Sequence, residues 1–299
     1  MRSIAVLILD ALRYDHLGCY GYERNVSPNI DKLADKSVVY TNAYTLGSAT
    51  PTSIPKMLSG NPHAKRVGMV GPWATKVQPY IHPFIRKYLT KLFANYKVIM
   101  FSERSLISEF GKKILTCCIT SNPFYRFGLH KDFDKFYFID DLSPEHITEK
   151  ALEVLERFEN LFLLCHYMQP HYPYTAPFSK YKFTVEEVQE IVWKLKFGLI
   201  NKNRINEIIS AYDDNIRWVD SELKYVIDKC LEKDFVIVVT SDHGECLGEY
   251  RMIGHPYTMF CEELNHIPLI IYDGENKGIY DEKFWLHDLL PYLLKKVMV

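Results

Sequence analysis

Short apolar runs alternate with longer amphipathic stretches along most of the chain. Runs typical of buried strands occupy residues 4–9, 37–44, 97–101, 161–166, 235–240 and 267–272. Ser27 and Pro28 have the character of a helix N-cap and first helical position, and an apolar period typical of a helix extends over about 184–231. Strands that alternate with helices predict an α/β fold with a mostly parallel sheet and helices on both faces.

Two parts of the chain give a weaker pattern. Residues 47–60 are rich in small side chains and predict a turn that leads into a helix near Ile54. Residues 102–160 have no clear period, and the pattern assigns them no element. No repeat, low-complexity tract or linker divides the chain, so we expect a single domain over residues 1–299.

Composition narrows the classes of function. The 47% of apolar residues can form a large core, and a net charge of −1 with interspersed signs gives no case for binding nucleic acid or a membrane surface. No run approaches the ~18 apolar residues that a membrane span requires. The first strand follows Met1 directly, and the seven cysteines contain no CxxC pair, which is typical of free thiols. We therefore expect a soluble, cytoplasmic protein.

Candidate metal ligands follow two of the predicted strands. Asp10 ends the run 4–9, and Asp242 with His243 follows the run 235–240. The carboxyl ends of parallel strands meet at one edge of a sheet, where ligands bind. Carboxylate and imidazole groups at that edge can share one metal ion, so this pattern predicts a metallohydrolase.

The segment 48–53 (SATPTS) is a second chemical candidate. Small hydroxylated residues before a helix bring hydroxyl and N–H groups to its positive end, which suits an anion. A hydroxyl in such a place can become a nucleophile when a metal activates it. Taken alone, such a cluster of hydroxyl groups is more often a simple helix cap.

Nine short segments together resemble one known family. They are 10–21 (DALRYDHLGCYG), 27–34 (SPNIDKLA), 58–63 (LSGNPH), 166–174 (HYMQPHYPY), 212–220 (YDDNIRWVD), 240–245 (TSDHGE), 254–255 (GH), 262–269 (EELNHIPL) and 288–294 (DLLPYLL). Their order and spacing resemble the sulfatase branch of the alkaline phosphatase superfamily. The resemblance implies an alkaline-phosphatase-like three-layer sandwich, with a mostly parallel central sheet and without the family's usual C-terminal subdomain.

The departures from the family are as informative as the matches. Thr50 stands where sulfatases have the Cys or Ser that becomes formylglycine, and Ile54 stands in place of the following arginine. Threonine cannot become formylglycine. A threonine at this position resembles the phosphodiesterases, phosphonate hydrolases and phosphoglycerol or phosphoethanolamine transferases of the superfamily.

The resemblance also implies the roles of individual residues. It suggests one Zn²⁺ or Mn²⁺ held by Asp10, Asp242, His243 and the Thr50 oxygen, with Ca²⁺ or Mg²⁺ disfavoured by the imidazole. Its further candidates, with their expected roles, are His171 and His255 (contact to the transferred group or protonation of the leaving oxygen), Glu245 (orienting a ligand), Arg13 and Asp15 (bracing the Asp10 loop), and His166 (structural). Gln169 replaces a family aspartate, which leaves His171 and His255 without an obvious acidic partner.

We expect a metal-dependent hydrolase of phosphate, phosphonate or sulfate esters, with Thr50 forming a covalent intermediate and phosphodiesters or phosphonates favoured. The substrate is expected to be a small-molecule, glycan or lipid ester. Four alternatives stay open: a phospho-group transferase, an arylsulfatase without formylglycine, a phosphomutase and a catalytically silent homologue. The 14% of aromatic residues is consistent with a homo-oligomer as well as with a core.

Overall fold

Strands made almost wholly of buried apolar residues form the centre of this computed structural model, which describes residues 2–70 and 97–297. The strands are β1 (Ile4–Leu9), β2 (Val38–Tyr40), β3 (Ala43–Tyr44), β4 (Gly68–Val70), β5 (Lys97–Ile99), β6 (Leu115–Thr120), β7 (Lys135–Phe138), β8 (Leu161–Tyr167), β9 (Val236–Thr240), β10 (Cys246–Leu247), β11 (Ile253–Gly254), β12 (Leu269–Tyr272), β13 (Gly278–Tyr280) and β14 (Phe284–Trp285). The helices are α1 (Pro28–Ala34), α2 (Thr50–Ser59), α3 (Ile107–Gly111), α4 (Pro144–Arg157), α5 (Val185–Lys196), α6 (Lys202–Glu232), α7 (Glu262–Asn265) and α8 (Leu289–Val297).

The main sheet has eight strands in the order β13-β2-β12-β9-β1-β8-β6-β7. Its central pairs β9–β1, β1–β8 and β8–β6 are parallel, whereas β12 lies antiparallel between β2 and β9. The sheet is therefore mostly parallel, as the sequence predicts. The carboxyl ends of β9, β1, β8 and β6 lie side by side along one edge.

Both faces of the sheet are covered, because successive residues of β1 point to opposite sides. Leu7 belongs to a core shared with buried residues of α4, α5 and α6, and Val6 belongs to a second core shared with residues of α2, α3 and α8. Both side chains are fully buried. The result is a helix–sheet–helix sandwich, which confirms the predicted three layers.

The predicted helix at 184–231 is two helices, α5 and α6. The chain leaves α5 through Gly198, whose φ of 69° is left-handed. Asn201 then starts α6 by accepting a hydrogen bond from the backbone N–H of Arg204 at 3.0 Å. Apolar periodicity continues across this break, so it did not reveal the boundary.

Two other expectations about elements need correction. Helix α2 begins at Thr50, four residues before the predicted junction at Ile54, with Pro51 in its first turn. Residues 102–160, which had no assignment, contain α3, β6, β7 and α4. Within residues 2–70 and 97–297, no helix is both long enough and apolar enough to cross a membrane.

Candidate active site

Four strands that lie side by side in the sheet bring polar side chains to one of its edges. Asp10 follows β1, His166 is near the end of β8, and Asp242 and His243 follow β9. Asn122 lies just beyond β6. All five side chains are at most 2% exposed. Polar groups this deeply buried require partners, because their desolvation is otherwise uncompensated.

Three of these residues form a compact set of potential metal ligands. Asp10, Asp242 and His243 each offer one ligand atom, and these atoms lie within 4.8 Å of one another. His243 Nε2 is 3.4 Å from Asp10 Oδ1 and 3.5 Å from Asp242 Oδ2. Ligand atoms bound at about 2.0–2.1 Å around a tetrahedral ion are separated by about 3.3–3.4 Å, so these two distances suit a small divalent cation.

The donor atoms themselves support this interpretation. Asp10 Oδ1, Asp242 Oδ2 and His243 Nε2 are buried and have no hydrogen-bond partner among the described residues. The other ring nitrogen, His243 Nδ1, lies 2.8 Å from the carbonyl oxygen of Gly244. A proton on Nδ1 would leave a lone pair on Nε2, which is the arrangement that a metal-binding histidine requires. The residues present therefore fit a mixed oxygen–nitrogen cation site.

The turn after β9 depends on Gly244. A Cβ at this position would lie 2.0 Å from the carbonyl oxygen of Glu263, too close for any other residue. The Gly244 N–H donates to the carbonyl of Leu264 at 2.8 Å. This close approach holds Asp242 and His243 against the edge of the sheet.

Thr50 lies beside the ligand set at the first position of α2. Its hydroxyl donates to Asp10 Oδ2 at 3.2 Å, and Asn122 Nδ2 donates both to Thr50 Oγ1 at 3.2 Å and to Asp10 Oδ2 at 2.7 Å. Thr50 is 3% exposed, so its oxygen is held in one place. Its position, at the positive end of a ten-residue helix and beside a carboxylate, suits a nucleophile that attacks an anionic ester.

The loop after Asp10 is braced as the sequence predicts. The Arg13 guanidinium binds Asp15 at 2.7 Å and also Glu249 at 2.7 Å. Ala11 adopts a left-handed φ of 63°, and the Tyr212 hydroxyl donates to its carbonyl oxygen at 2.8 Å. These contacts compensate for a strained residue directly after Asp10.

His171 and His255 lie together on one side of the ligand set. Their ring centroids are 4.7 Å apart, and the His255 ring is 4.3 Å from that of His243. Contrary to the sequence-based expectation, an acidic residue is close to them, since Glu245 Oε1 is 3.5 Å from His255 Nδ1. Burial lowers the pKa of His255 and raises that of Glu245, which favours the uncharged form of each.

Sequence reasoning missed two residues of the site. His166, assigned a structural role, places its Nε2 3.3 Å from Asp10 Oδ2 and 3.9 Å from Asp242 Oδ2. Asn122 was interpreted only as part of an aromatic-rich tract, 122–127, and not as a site residue, because it lies in the stretch without a periodic pattern. For His166 a signal existed: it comes at the end of a buried strand, next to the strand that leads to Asp10.

Comparison with known proteins adds an independent line of evidence. The family model described as Sulfatase matches residues 2–295. Kdo(2)-lipid A phosphoethanolamine 7''-transferase of Salmonella typhimurium is 21% identical over 90% of this chain and 44% of its own length. Iduronate 2-sulfatase of Mus musculus is 22% identical over 90% of this chain and 59% of its own length. The chain thus spans less than two thirds of either relative.

Solved structures share the fold. The C-terminal periplasmic domain of phosphoethanolamine transferase EptC from Campylobacter jejuni has a TM-score of 0.70 at 19% identity, covering 99% of this chain and 88% of that one. The corresponding domain of EptC from Escherichia coli, solved in complex with Zn, has a TM-score of 0.68 at 16% identity, covering 98% and 81%.

Proposed function

The chain belongs to the sulfatase family, and from this premise we propose that it transfers a phospho group from an ester through a covalent intermediate on Thr50. The observation that supports this most directly is the Thr50 hydroxyl, held by Asp10 and Asn122 beside a buried ligand set. Threonine cannot supply a formylglycine, so a phosphodiester or a phosphonate ester is a better substrate than a sulfate ester.

Asp10, Asp242 and His243 would hold one divalent cation, Zn²⁺ or Mn²⁺, with the Thr50 oxygen as a further ligand. Bound there, the cation would polarise the phosphorus–oxygen bond and lower the pKa of a coordinated hydroxyl. The Zn complex of the EptC domain from Escherichia coli supports zinc as the first ion to test.

The residues of the chain suggest a two-step displacement. Thr50 Oγ1 attacks phosphorus as its proton passes along its 3.2 Å hydrogen bond to Asp10 Oδ2 and on to His166 Nε2, which lies 3.3 Å from the same oxygen. A Thr50 oxygen–phosphorus bond forms while the bond to the leaving oxygen breaks. His171 or His255 contacts the phospho group, and His255 gives the leaving oxygen a proton while its Nδ1 takes one from Glu245, which burial keeps protonated.

In the second step the O–H of an acceptor attacks the phosphothreonine and gives its proton to His255, which returns one to Glu245. The phosphorus–oxygen bond to Thr50 breaks, and the Thr50 oxygen regains its proton from His166 through Asp10. The amide of Asn122 keeps Thr50 Oγ1 directed at phosphorus throughout.

The acceptor distinguishes two candidate functions. Water as the acceptor gives a hydrolase, which is the function that the sequence predicts. A hydroxyl as the acceptor gives a transferase, and the similarity to phosphoethanolamine transferases supports this second candidate. Both use the same first step, so the Thr50 intermediate is the feature to test first.

Elemental analysis of the purified protein, together with nitrophenyl sulfate, phosphate, bis-phosphate and phosphonate assays, tests this proposal. We expect about one zinc or manganese per chain and turnover of the diester or the phosphonate. Preferential turnover of the sulfate ester would contradict the proposed substrate class. Absence of both metal and turnover, even after metals and glycerol as an acceptor are added, would favour a silent homologue.

Replacing Thr50 by alanine is the sharpest single change. Thr50→Ala should lower kcat by at least a thousandfold, because no other described hydroxyl is hydrogen-bonded to Asp10 Oδ2. Thr50→Ser keeps the hydroxyl and serves as the matched control, with partial activity. Stopped reactions of the wild-type protein should show a mass increase on Thr50. Near-normal turnover by Thr50→Ala would exclude Thr50 as the nucleophile.

A further inference from the structure

Two loops are fastened to the segment that presents Thr50. The Ser48 hydroxyl donates to the carbonyl oxygen of Pro256 at 2.9 Å. On the other loop, the backbone N–H of Val67 donates to the carbonyl oxygen of Pro51 at 3.0 Å. The residues next to these anchors, Tyr257 and Arg66, are therefore held close to the amino-terminal turn of α2.

A proline inside α2 explains the hydrogen bond from Val67 to Pro51. Pro55 lies inside α2 and has no N–H, so the carbonyl oxygen of Pro51 loses its normal helical partner. Val67 supplies the missing donor, while the side chains of Ala64 and Val67 are 4% and 3% exposed. The backbone of residues 64–67 is thus fixed relative to the helix that carries the proposed nucleophile.

Arg66 is the unusual member of this loop. It is half-buried, and no carboxylate among the described residues forms an ion pair with it. Half-buried arginines usually bind an anion or a carbonyl oxygen, because their charge is costly to desolvate alone. Burial raises the pKa of Tyr257, the charge of Arg66 opposes that shift and the charge of Asp10 adds to it. The two anchors, Ser48 to Pro256 and Val67 to Pro51, place both residues next to the amino-terminal turn of α2, and these charge effects on Tyr257 agree with that placement.

We propose that Arg66 and Tyr257, from the two loops fastened to the segment that presents Thr50, bind an oxyanion of the substrate at the rim of the Thr50 site. The guanidinium has a planar set of donors that matches phosphate and carboxylate oxygens. This inference rests on the proposed function and narrows its substrate class. An arginine that has no ion pair within residues 2–70 and 97–297 attracts an anionic group and repels an ammonium group. Esters that carry a further anionic group are therefore favoured over those with a cationic head group.

The test compares Arg66→Ala and Arg66→Lys with Lys65→Ala, a control that removes a neighbouring, exposed positive charge. Three nitrophenyl substrates are used: bis-nitrophenyl phosphate, a diester with a distal carboxylate, and nitrophenyl phosphorylcholine. Binding of inorganic phosphate is measured separately by calorimetry. Arg66→Ala should raise the KM for the carboxylate diester about tenfold, with kcat changed less. If Arg66 binds the reacting phospho group, the KM for the simple diester and the Kd for phosphate should rise by a similar factor. Arg66→Lys should show a smaller loss.

The pattern of losses identifies the anion. A loss shared by the simple diester, the carboxylate diester and inorganic phosphate places Arg66 on the reacting phospho group. A loss limited to the carboxylate diester places it on a second anionic group. In the second case the KM for the phosphorylcholine ester should fall relative to that for the carboxylate diester, whereas in the first case the two should rise together. If Arg66→Ala matches Lys65→Ala within twofold in every KM and in phosphate affinity, the inference is wrong. If no ester is turned over and the proposed function fails, calorimetric titration with phosphate and with the carboxylate diester still tests Arg66, and unchanged affinity for both in Arg66→Ala overturns the inference.

Discussion

The two carboxylate oxygens of Asp10 have different surroundings. Oδ1 faces His243 Nε2 and has no hydrogen-bond partner in the described part of the chain, which leaves it available to a cation. Oδ2 accepts hydrogen bonds from Asn122 and Thr50 and lies near His166 Nε2. One side chain therefore connects the proposed cation site to the nucleophile, and its exact orientation matters to both.

His166 is expected to stabilise that orientation. Its ring is fully buried and its other nitrogen, Nδ1, is 3.1 Å from the hydroxyl of Tyr125. His166→Gln should weaken zinc binding about 10- to 100-fold, the usual effect of removing a neighbour of a metal-binding carboxylate. Competition with a fluorescent chelator measures the dissociation constant. His146→Gln, which changes a surface histidine, should leave the dissociation constant for zinc unchanged. An unchanged constant in His166→Gln would show that His166 does not hold Asp10 in place for the ion.

Sequence reasoning identified the polar residues that directly follow a predicted strand. Asp10, Asp242 and His243 each follow an apolar run, and the parallel sheet brings these positions together. His166 gave a weaker signal and Asn122 gave none. A histidine inside a strand has the same pattern as a core residue, and an asparagine in an aperiodic loop depends on tertiary contacts for its position. The roles given to the site residues stay predictions, while their proximity is a structural fact.

At the scale of elements, α1 is held by a side chain from another helix. Asp220 of α6 accepts hydrogen bonds from the backbone N–H groups of Asn29 and Ile30, in the first turn of α1. These groups have no partner within the helix, so the carboxylate acts as a cap supplied from a distance of 190 residues along the chain. Only the folded sheet can bring the two helices together, so sequence periodicity could not predict this contact.

Burial raises the pKa of Asp220 to about 6, above the value of about 3.9 in an unfolded chain. The folded state therefore holds this proton more tightly than the unfolded state. Its contribution to the free energy of unfolding is complete below about pH 4 and is lost as the pH rises through about 6. Asp220→Asn, which keeps one acceptor oxygen, should flatten that part of the profile.

Urea unfolding between pH 4 and 7 measures this effect. Asp228→Asn, at an exposed position of the same helix, is the matched control and should keep the wild-type dependence on pH. Identical profiles for Asp220→Asn and the wild-type protein would show that Asp220 does not titrate differently in the folded and unfolded states.

For the whole molecule, the predicted α/β class and the alkaline-phosphatase-like sandwich are confirmed by the sheet and by the solved structures that share it. The antiparallel position of β12 was not predictable, because a buried strand has the same apolar run in either direction. The single domain, the cytoplasmic location and a homo-oligomeric state all stay predictions. The substrate and acceptor depend on side chains at the rim, where the sequence carries no periodic signal.

The proposed cation would connect separate parts of the molecule, since its ligands follow β1 and β9 and Thr50 begins α2. An ion that binds only the folded state stabilises it by about 2.7 kcal/mol at a free concentration of 100 times its Kd. For a chain of this size that corresponds to a rise in Tm of about 5 °C. Removing the metal with a chelator should therefore lower Tm by about 5 °C, and added zinc should restore it.

The matched control is Asp242→Asn, in which the amide oxygen can still accept the N–H groups of Ala11 and His243 that bind Asp242 Oδ1. Removal of one charged ligand should leave the folded protein with a Tm that responds to neither chelator nor zinc. Calorimetry gives the Tm of both proteins as purified, after chelation and after zinc is added back. An equal response in the two proteins would place the stabilising ion elsewhere, and no response in either would contradict a cation site built from Asp10, Asp242 and His243.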